Sequence, residues 1–181
     1  MMPRPLTAAD ESVRKRLISL SVNGRRHDVW VTPSELLLDV LHDELGLPEV
    51  RYGCGEGVCG TCTVQFDGHT VSACLMFAVQ AEGHQINTVS ALLGEGDKLH
   101  PLQECMLRHG GAQCGFCTPG MLLTADCLAK RTRRPSRDEI RRELVGNLCR
   151  CTGYTKILDA IEEYVGLSSP ERLAPEGVEG T

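Results

Sequence analysis

Eight cysteines carry the chemistry this sequence can offer, and their spacing divides them into two groups of four. Cys54, Cys59, Cys62 and Cys74 follow C-x4-C-x2-C, with eleven residues before the fourth, the plant-type spacing for a [2Fe–2S] cluster. Three thiolates from one loop can converge on a small inorganic core only if the chain turns tightly. Gly53, Gly55, Gly57 and Gly60 lie in that loop and allow the positive φ angles and close backbone approach it needs. Amides freed by such turns can point at sulfur and offset the negative charge of a cluster. Structural zinc also uses C-x2-C, but as paired knuckles; an overlapping C-x4-C in a four-glycine loop favours iron–sulfur.

The second group is Cys114-Gly115-Phe116-Cys117 with Cys149-Arg150-Cys151, 31 residues lying between the pairs. Taken alone, this pattern is open between zinc and iron–sulfur. A thioredoxin-like use would need a βαβ setting, and a Rieske centre would need paired histidines that His109 alone does not supply. The six histidines (27, 42, 69, 84, 100 and 109) show no ligand spacing and read as surface or cap residues. Cys105 and Cys127 fall among apolar neighbours on expected helices and read as small buried hydrophobes. The basic residues Lys130, Arg131, Arg133, Arg134, Arg137, Arg141 and Arg142 read as a solvated connection and helix face, or as a docking surface for an acidic partner.

The elements that must hold these groups follow from pattern. Leu17 to Val22 alternates with period two, Asn23-Gly24 supplies a hairpin turn, and His27 to Val31 resumes the extended run. Thr32-Pro33-Ser34-Glu35 predicts a helix start with Thr32 as cap and Glu35 closing a capping box; Leu36, Leu37, Val40, Leu41 and Leu45 give it one apolar face, and Gly46 stops it. After the glycine loop, strands are expected over 62–66 and 70–75, joined at Asp67-Gly68, with a short one over 85–89. Beyond a glycine-bearing linker the pattern turns helical: Pro101 to His109, then Thr118-Pro119 to about Arg131, then a capping box at Ser136 and Glu139 running to Gly146. Ile157, Leu158, Ile161, Tyr164 and Val165 make a last amphipathic stripe.

These elements predict an α+β chain in two domains: a flexible arm over 1–15, an α/β unit over 16–90, a linker over 91–100, a helical unit over 101–166 and a disordered tail over 167–181. Charge is 19 basic against 24 acidic residues, a formal −5, which leaves no electrostatic footprint for nucleic acid. No apolar run approaches the roughly 20 residues needed to span a bilayer. The N-terminal residues show no apolar segment of the signal-peptide kind, so a cytoplasmic location with reduced thiols is expected.

Three motifs, Cys54-Gly-Glu-Gly-Val-Cys59-Gly-Thr-Cys62, Gln113-Cys-Gly-Phe-Cys-Thr-Pro-Gly120 and Gly146-Asn-Leu-Cys-Arg-Cys-Thr-Gly-Tyr154, together resemble the iron–sulfur subunit of molybdenum hydroxylases of the xanthine oxidase family. That group includes the small subunits of carbon monoxide, nicotine and isoquinoline dehydrogenases and of 4-hydroxybenzoyl-CoA reductase. The likeness covers about residues 17–166, and all eight ligand positions match. It implies an N-terminal β-grasp ferredoxin-like domain followed by a C-terminal four-helix bundle. It also implies that Cys114, Cys117, Cys149 and Cys151 hold a second [2Fe–2S] cluster, and that Gln113 and Cys151 touch the pterin of a molybdopterin cofactor, in its cytosine dinucleotide form, held by a large partner subunit. An amide such as Gln113 can both donate to and accept from a pterin edge. The resemblance further implies an electron relay without a catalytic residue of its own, passing electrons from the molybdopterin site to FAD in a medium subunit or to another acceptor, within a heterotrimer or a dimer of heterotrimers. Two rival functions are a stand-alone two-cluster ferredoxin and a zinc-binding scaffold or regulator.

Overall fold

The computed structural model describes residues 14–94, 96 and 98–167. The expected arm and tail lie almost wholly outside them. Two strands open the fold, β1 (Arg16–Val22) and β2 (Arg25–Val31), paired antiparallel with Val22 opposite Arg25. Asn23 and Gly24 both take positive φ, 51° and 73°, the twist a two-residue hairpin requires.

The first helix departs from expectation. Thr32 and Glu35 do make the anticipated contact, the Thr32 amide donating to the Glu35 carboxylate at 2.8 Å. The chain nevertheless makes only a turn at Pro33-Ser34, closed by the Glu35 amide donating to the Thr32 carbonyl at 3.1 Å, and is extended at Leu36, because Leu36 forms a bridge with Phe77 and Leu37 donates to the Met76 carbonyl at 2.7 Å. Helix α1 (Leu37–Asp39) begins only there and widens into a π turn over Val40–Glu44, where the Leu45 amide reaches the Val40 carbonyl. A tertiary strand contact has displaced a local helix signal. Gly46 (φ 64°) ends the turn as expected.

Strands β3 (Thr63–Phe66) and β4 (His69–Ser72) form a second hairpin through Asp67-Gly68, and β5 (Gln85–Asn87) completes a five-stranded sheet ordered β2-β1-β5-β3-β4. Only β1 and β5 run parallel. One face of the sheet closes on α1: Ile18, Leu20, Val22, Val64 and Ile86 meet Leu37, Leu38, Val40 and Leu41 in one buried cluster.

Four further helices build the C-terminal half: α2 (Pro101–Arg108), α3 (Thr118–Arg131), α4 (Arg137–Glu143) and α5 (Thr155–Leu167). They enclose a second cluster that includes Leu102, Met106, Met121, Leu123, Ile140, Ile157 and Ile161. Leu92, from the 3-10 turn Val89–Leu92 within the expected linker region, is buried in that same cluster. Every residue of α3 from Pro119 to Leu128 is buried, as a helix covered on all sides must be: the helical half packs on one flank and β3 and β4 on the other. Ser136 and Glu139 form the capping box read from sequence.

The basic run of the helical half is largely neutralised within the chain. Lys130 pairs with Asp126, Arg131 with Glu143, Arg141 with Asp138, and Arg137 with Asp159 and Glu162.

Candidate metal centres

The first group of cysteines is assembled by the loop between α1 and β3 and by the return of the chain after β4. The Glu56 amide donates to the Cys54 sulfur at 3.3 Å, and the Cys54 amide to the Cys59 sulfur at 3.4 Å. Amides from Glu56, Cys59 and Val58 together hold the Cys54 thiol down to about 6. Cys74 lies in the 3-10 turn Ala73–Leu75, held against the loop by the Ala73 amide, which donates to the Cys62 carbonyl at 3.2 Å. Burial pushes the Cys62 thiol up to about 12. Gly53 differs from its expected role: its φ is not positive, and what it supplies is space, since a Cβ there would lie 2.7 Å from the Cys59 sulfur. Gly55, Gly57 and Gly60 do take positive φ.

The second group comes together where α3 begins and where the chain loops between α4 and α5. Cys114 and Cys151 have their sulfurs 3.5 Å apart, at the surface. Cys117 occupies the cap position of α3 itself, and no side chain caps that end. Its neighbour is Cys149, with which it shares a side-chain hydrogen bond; burial is the main reason the Cys117 thiol rises to about 12. Burial also acts on Cys149, but the hydroxyl and amide of Thr152 and the amide of Cys151 outweigh it and lower that thiol; Thr152 Oγ1 lies 3.1 Å from the sulfur. Contact with Cys114 raises the Cys151 thiol, whereas the Phe116 amide, aided by Cys151, lowers that of Cys114. Tyr154, in a left-handed conformation (φ 70°), folds its hydroxyl back to accept from the Cys149 amide at 2.9 Å and to donate to the Asn147 carbonyl at 3.2 Å.

Both groups thus resolve into two-plus-two: Cys54 with Cys59 and Cys62 with Cys74 in one, Cys114 with Cys151 and Cys117 with Cys149 in the other. Among the described residues no three His, Cys, Asp or Glu side chains are placed to hold one metal ion. Pairs of thiols suit a cluster whose two irons share four cysteines; a single tetrahedral zinc would draw four ligands to one point. Amides and a hydroxyl aimed at sulfur are the donors an anionic cluster requires. The donor set fits [2Fe–2S] at both places.

The two groups are joined by direct contact. The Leu148 amide donates to the Cys59 carbonyl at 2.9 Å. Asn147, buried, donates to the Gly60 carbonyl at 3.2 Å while its own carbonyl accepts from Thr124 at 2.9 Å. The backbones approach so closely that a Cβ on Gly120 would overlap the Gly60 carbonyl oxygen. Beside this contact Gln65 of β3 donates to Asp126 of α3 at 2.7 Å. Arg51 donates to the Gly115 carbonyl at 2.7 Å.

Gln113 is exposed next to Cys114, and Cys114 touches Cys151, so these two expected pterin contacts share one rim. Cys105 and Cys127 are buried, as anticipated. Sequence reasoning assigned no role to Arg51, Thr152, Asn147 or Tyr154. The last three lie within a motif that was already legible; Arg51 carries no local signal. No helix among the described residues is long and apolar enough to cross a membrane.

Comparison with known proteins places a 2Fe-2S iron-sulfur cluster binding domain over residues 20–90 and a [2Fe-2S] binding domain over residues 88–162. The chain is 50% identical over 149 residues to the caffeine dehydrogenase subunit gamma of Pseudomonas sp. (strain CBB1), covering 81% of this chain and 89% of that one. It is 44% identical over 153 residues to the nicotinate dehydrogenase small FeS subunit of Eubacterium barkeri, covering 84% and 97%. Among solved structures, quinoline 2-oxidoreductase from Pseudomonas putida 86 superposes with a TM-score of 0.82 at 45% identity, over 88% of this chain and 98% of that chain.

Proposed function

This chain belongs to the iron–sulfur small subunits of the molybdenum hydroxylases, the electron-relay components of multi-subunit oxidoreductases, and from that premise we propose how its residues divide the work. Cys54, Cys59, Cys62 and Cys74 hold one [2Fe–2S] cluster, and Cys114, Cys117, Cys149 and Cys151 hold the other. Each cluster, when bound, supplies a one-electron carrier. The chain's residues fix where those carriers lie, aim donors at their sulfurs and join the two sites. The helical site receives electrons first, from a molybdopterin in its cytosine dinucleotide form on a large partner subunit. The exposure of Gln113, Cys114 and Cys151 on one rim supports that order, with Gln113 and Cys151 meeting the pterin. The ferredoxin-like site passes them to FAD on a medium subunit or to another acceptor. The substrate is transformed on a partner chain.

The N-terminal half takes the β-grasp form and the C-terminal half that of a four-helix bundle, with a heterotrimer or a dimer of heterotrimers as the assembly. Ten free cysteines suit a reducing cytoplasm. The observation that carries the reading is the two-plus-two pairing of eight thiols in two groups joined through Cys59 and Leu148. The test is metal analysis and EPR on the natively purified complex. Two distinct reduced-cluster signals, about two irons for each cluster and molybdenum in the same particle are expected. A colourless, zinc-loaded chain, or one that purifies alone with both clusters, would overturn it.

A further inference from the structure

Arg51 belongs to the N-terminal half, three residues before Cys54, yet its side chain serves the other site. Its Nη1 donates to the Gly115 carbonyl at 2.7 Å, and its guanidinium carbon lies 5.4 Å from the centroid of the Phe116 ring. Gly115 and Phe116 are the two residues that separate Cys114 from Cys117. The carbonyl that Arg51 grips and the amide N–H of Phe116 are the two ends of one peptide unit. That unit is planar and trans (the described residues contain no cis bond), so fixing the oxygen also fixes the direction of the hydrogen. The Phe116 amide is the largest influence lowering the Cys114 thiol, the effect of an N–H directed at its sulfur. A charged donor on a carbonyl polarises its amide and strengthens the hydrogen bond the N–H makes. Hydrogen bonds to cluster sulfurs are among the determinants of reduction potential.

We propose that Arg51 is a positioning residue for the second [2Fe–2S] site. Through the Gly115–Phe116 peptide it orients and polarises the N–H aimed at Cys114, so the N-terminal half of the chain raises the potential of the cluster held by the C-terminal half. A cation–π contact with the Phe116 ring helps hold the guanidinium over this loop. This inference rests on the ligand assignment above.

The experiment is an EPR-monitored redox titration of the intact complex carrying Arg51→Met or Arg51→Lys. In Arg51→Met the redox equilibrium of the second cluster should move about tenfold toward the oxidised form, a fall of about 59 mV for a one-electron couple, while the first cluster keeps its potential. Arg51→Lys, which retains a cation and a donor, should recover at least half of that fall. The exchangeable-proton coupling assigned to the Phe116 N–H should weaken in Arg51→Met. Loss of the second cluster's iron alone in Arg51→Met would equally bear out the grip on its loop. Unmoved potentials with both clusters retained, equal shifts of both clusters, or no recovery in Arg51→Lys would overturn the inference. A wild-type complex without two clusters would instead sink the ligand assignment, so the two failures are distinguishable.

Discussion

The carbonyl oxygen of Cys59 accepts a 2.9 Å hydrogen bond from the amide of Leu148, the residue bonded directly to Cys149. One cysteine of each group is therefore reached from the other through a short run of backbone and a single hydrogen bond. The spacing of the two sites is set by this contact, and the connecting segment 91–100 need not define it. Asn147 and the close approach of Gly60 to Gly120 brace the contact on either side. A relay needs its carriers at fixed separation, and here that separation is a property of packed backbone.

Asn147 is the first place to test this. Its amide donates to the Gly60 carbonyl and its carbonyl accepts from Thr124, all within buried surroundings. Asn147→Ala leaves the Thr124 hydroxyl without that acceptor and should lower stability by about 1–3 kcal/mol, measured by urea denaturation. The same variant should slow electron passage between the two sites in rapid-reduction experiments, because the Leu148–Cys59 contact loses its neighbour.

Gly120→Ala should be costlier than its chemistry suggests. The added methyl meets the Gly60 carbonyl oxygen, which is backbone and cannot rotate aside. Overpacking of this kind costs about 1–3 kcal/mol, and the strain falls on the contact between the halves. Gly166→Ala makes the control: nothing lies near its Cβ position in α5, so helix propensity alone should make it neutral or stabilising by up to about 1 kcal/mol. The melting temperature should fall in Gly120→Ala and hold or rise in Gly166→Ala.

What the sequence disclosed and what it withheld follow from the range of the interactions involved. The turns at Asn23-Gly24 and Asp67-Gly68 and the capping box at Ser136 depend on residues close together, and all are as read. The late start of α1 depends on Phe77, some forty positions away, and no local pattern could reveal it. Asp126 is buried because β3 covers its flank of α3, and Gln65 and Lys130 partner it there, Gln65 from some sixty positions away. Arg51 is likewise legible only once Gly115 stands beside it.

Acid should weaken the tie between α2 and α5. Glu163 lies 2.6 Å from His109 Nε2 and accepts from Arg108 at 2.6 Å, and these partners, His109 foremost, hold its carboxyl below the ordinary value of 4.5. A carboxylate whose folded pKa is depressed adds stability above its unfolded pKa, and that addition is lost as pH falls through the folded value. The melting temperature of wild type should therefore exceed that of Glu163→Gln at neutral pH, and the gap should close as pH falls below 4.5. A gap that stayed constant across that window would show that the carboxylate charge is not what the tie depends on.

The metal-free protein offers a sharper pH test, because one loop holds thiols of opposite character. Cys54 receives amide hydrogen bonds from Glu56, Cys59 and Val58 and titrates near about 6, whereas burial holds Cys62 and Cys117 near about 12. Alkylation proceeds through the thiolate, so a brief pulse of iodoacetamide on the folded, iron-free chain should label Cys54 first, with a rate that rises through pH 6 and levels off by neutrality. Cys62 and Cys117 should stay unlabelled until the chain is unfolded, as peptide mass spectrometry would show. The amides that depress Cys54 in the metal-free state are the same donors that would face a bound sulfur, so the profile reports whether the loop is already arranged before iron arrives. A Cys54 rate that climbs only near the ordinary thiol value of 9.0 would mean that those amides turn inward only when the cluster is assembled.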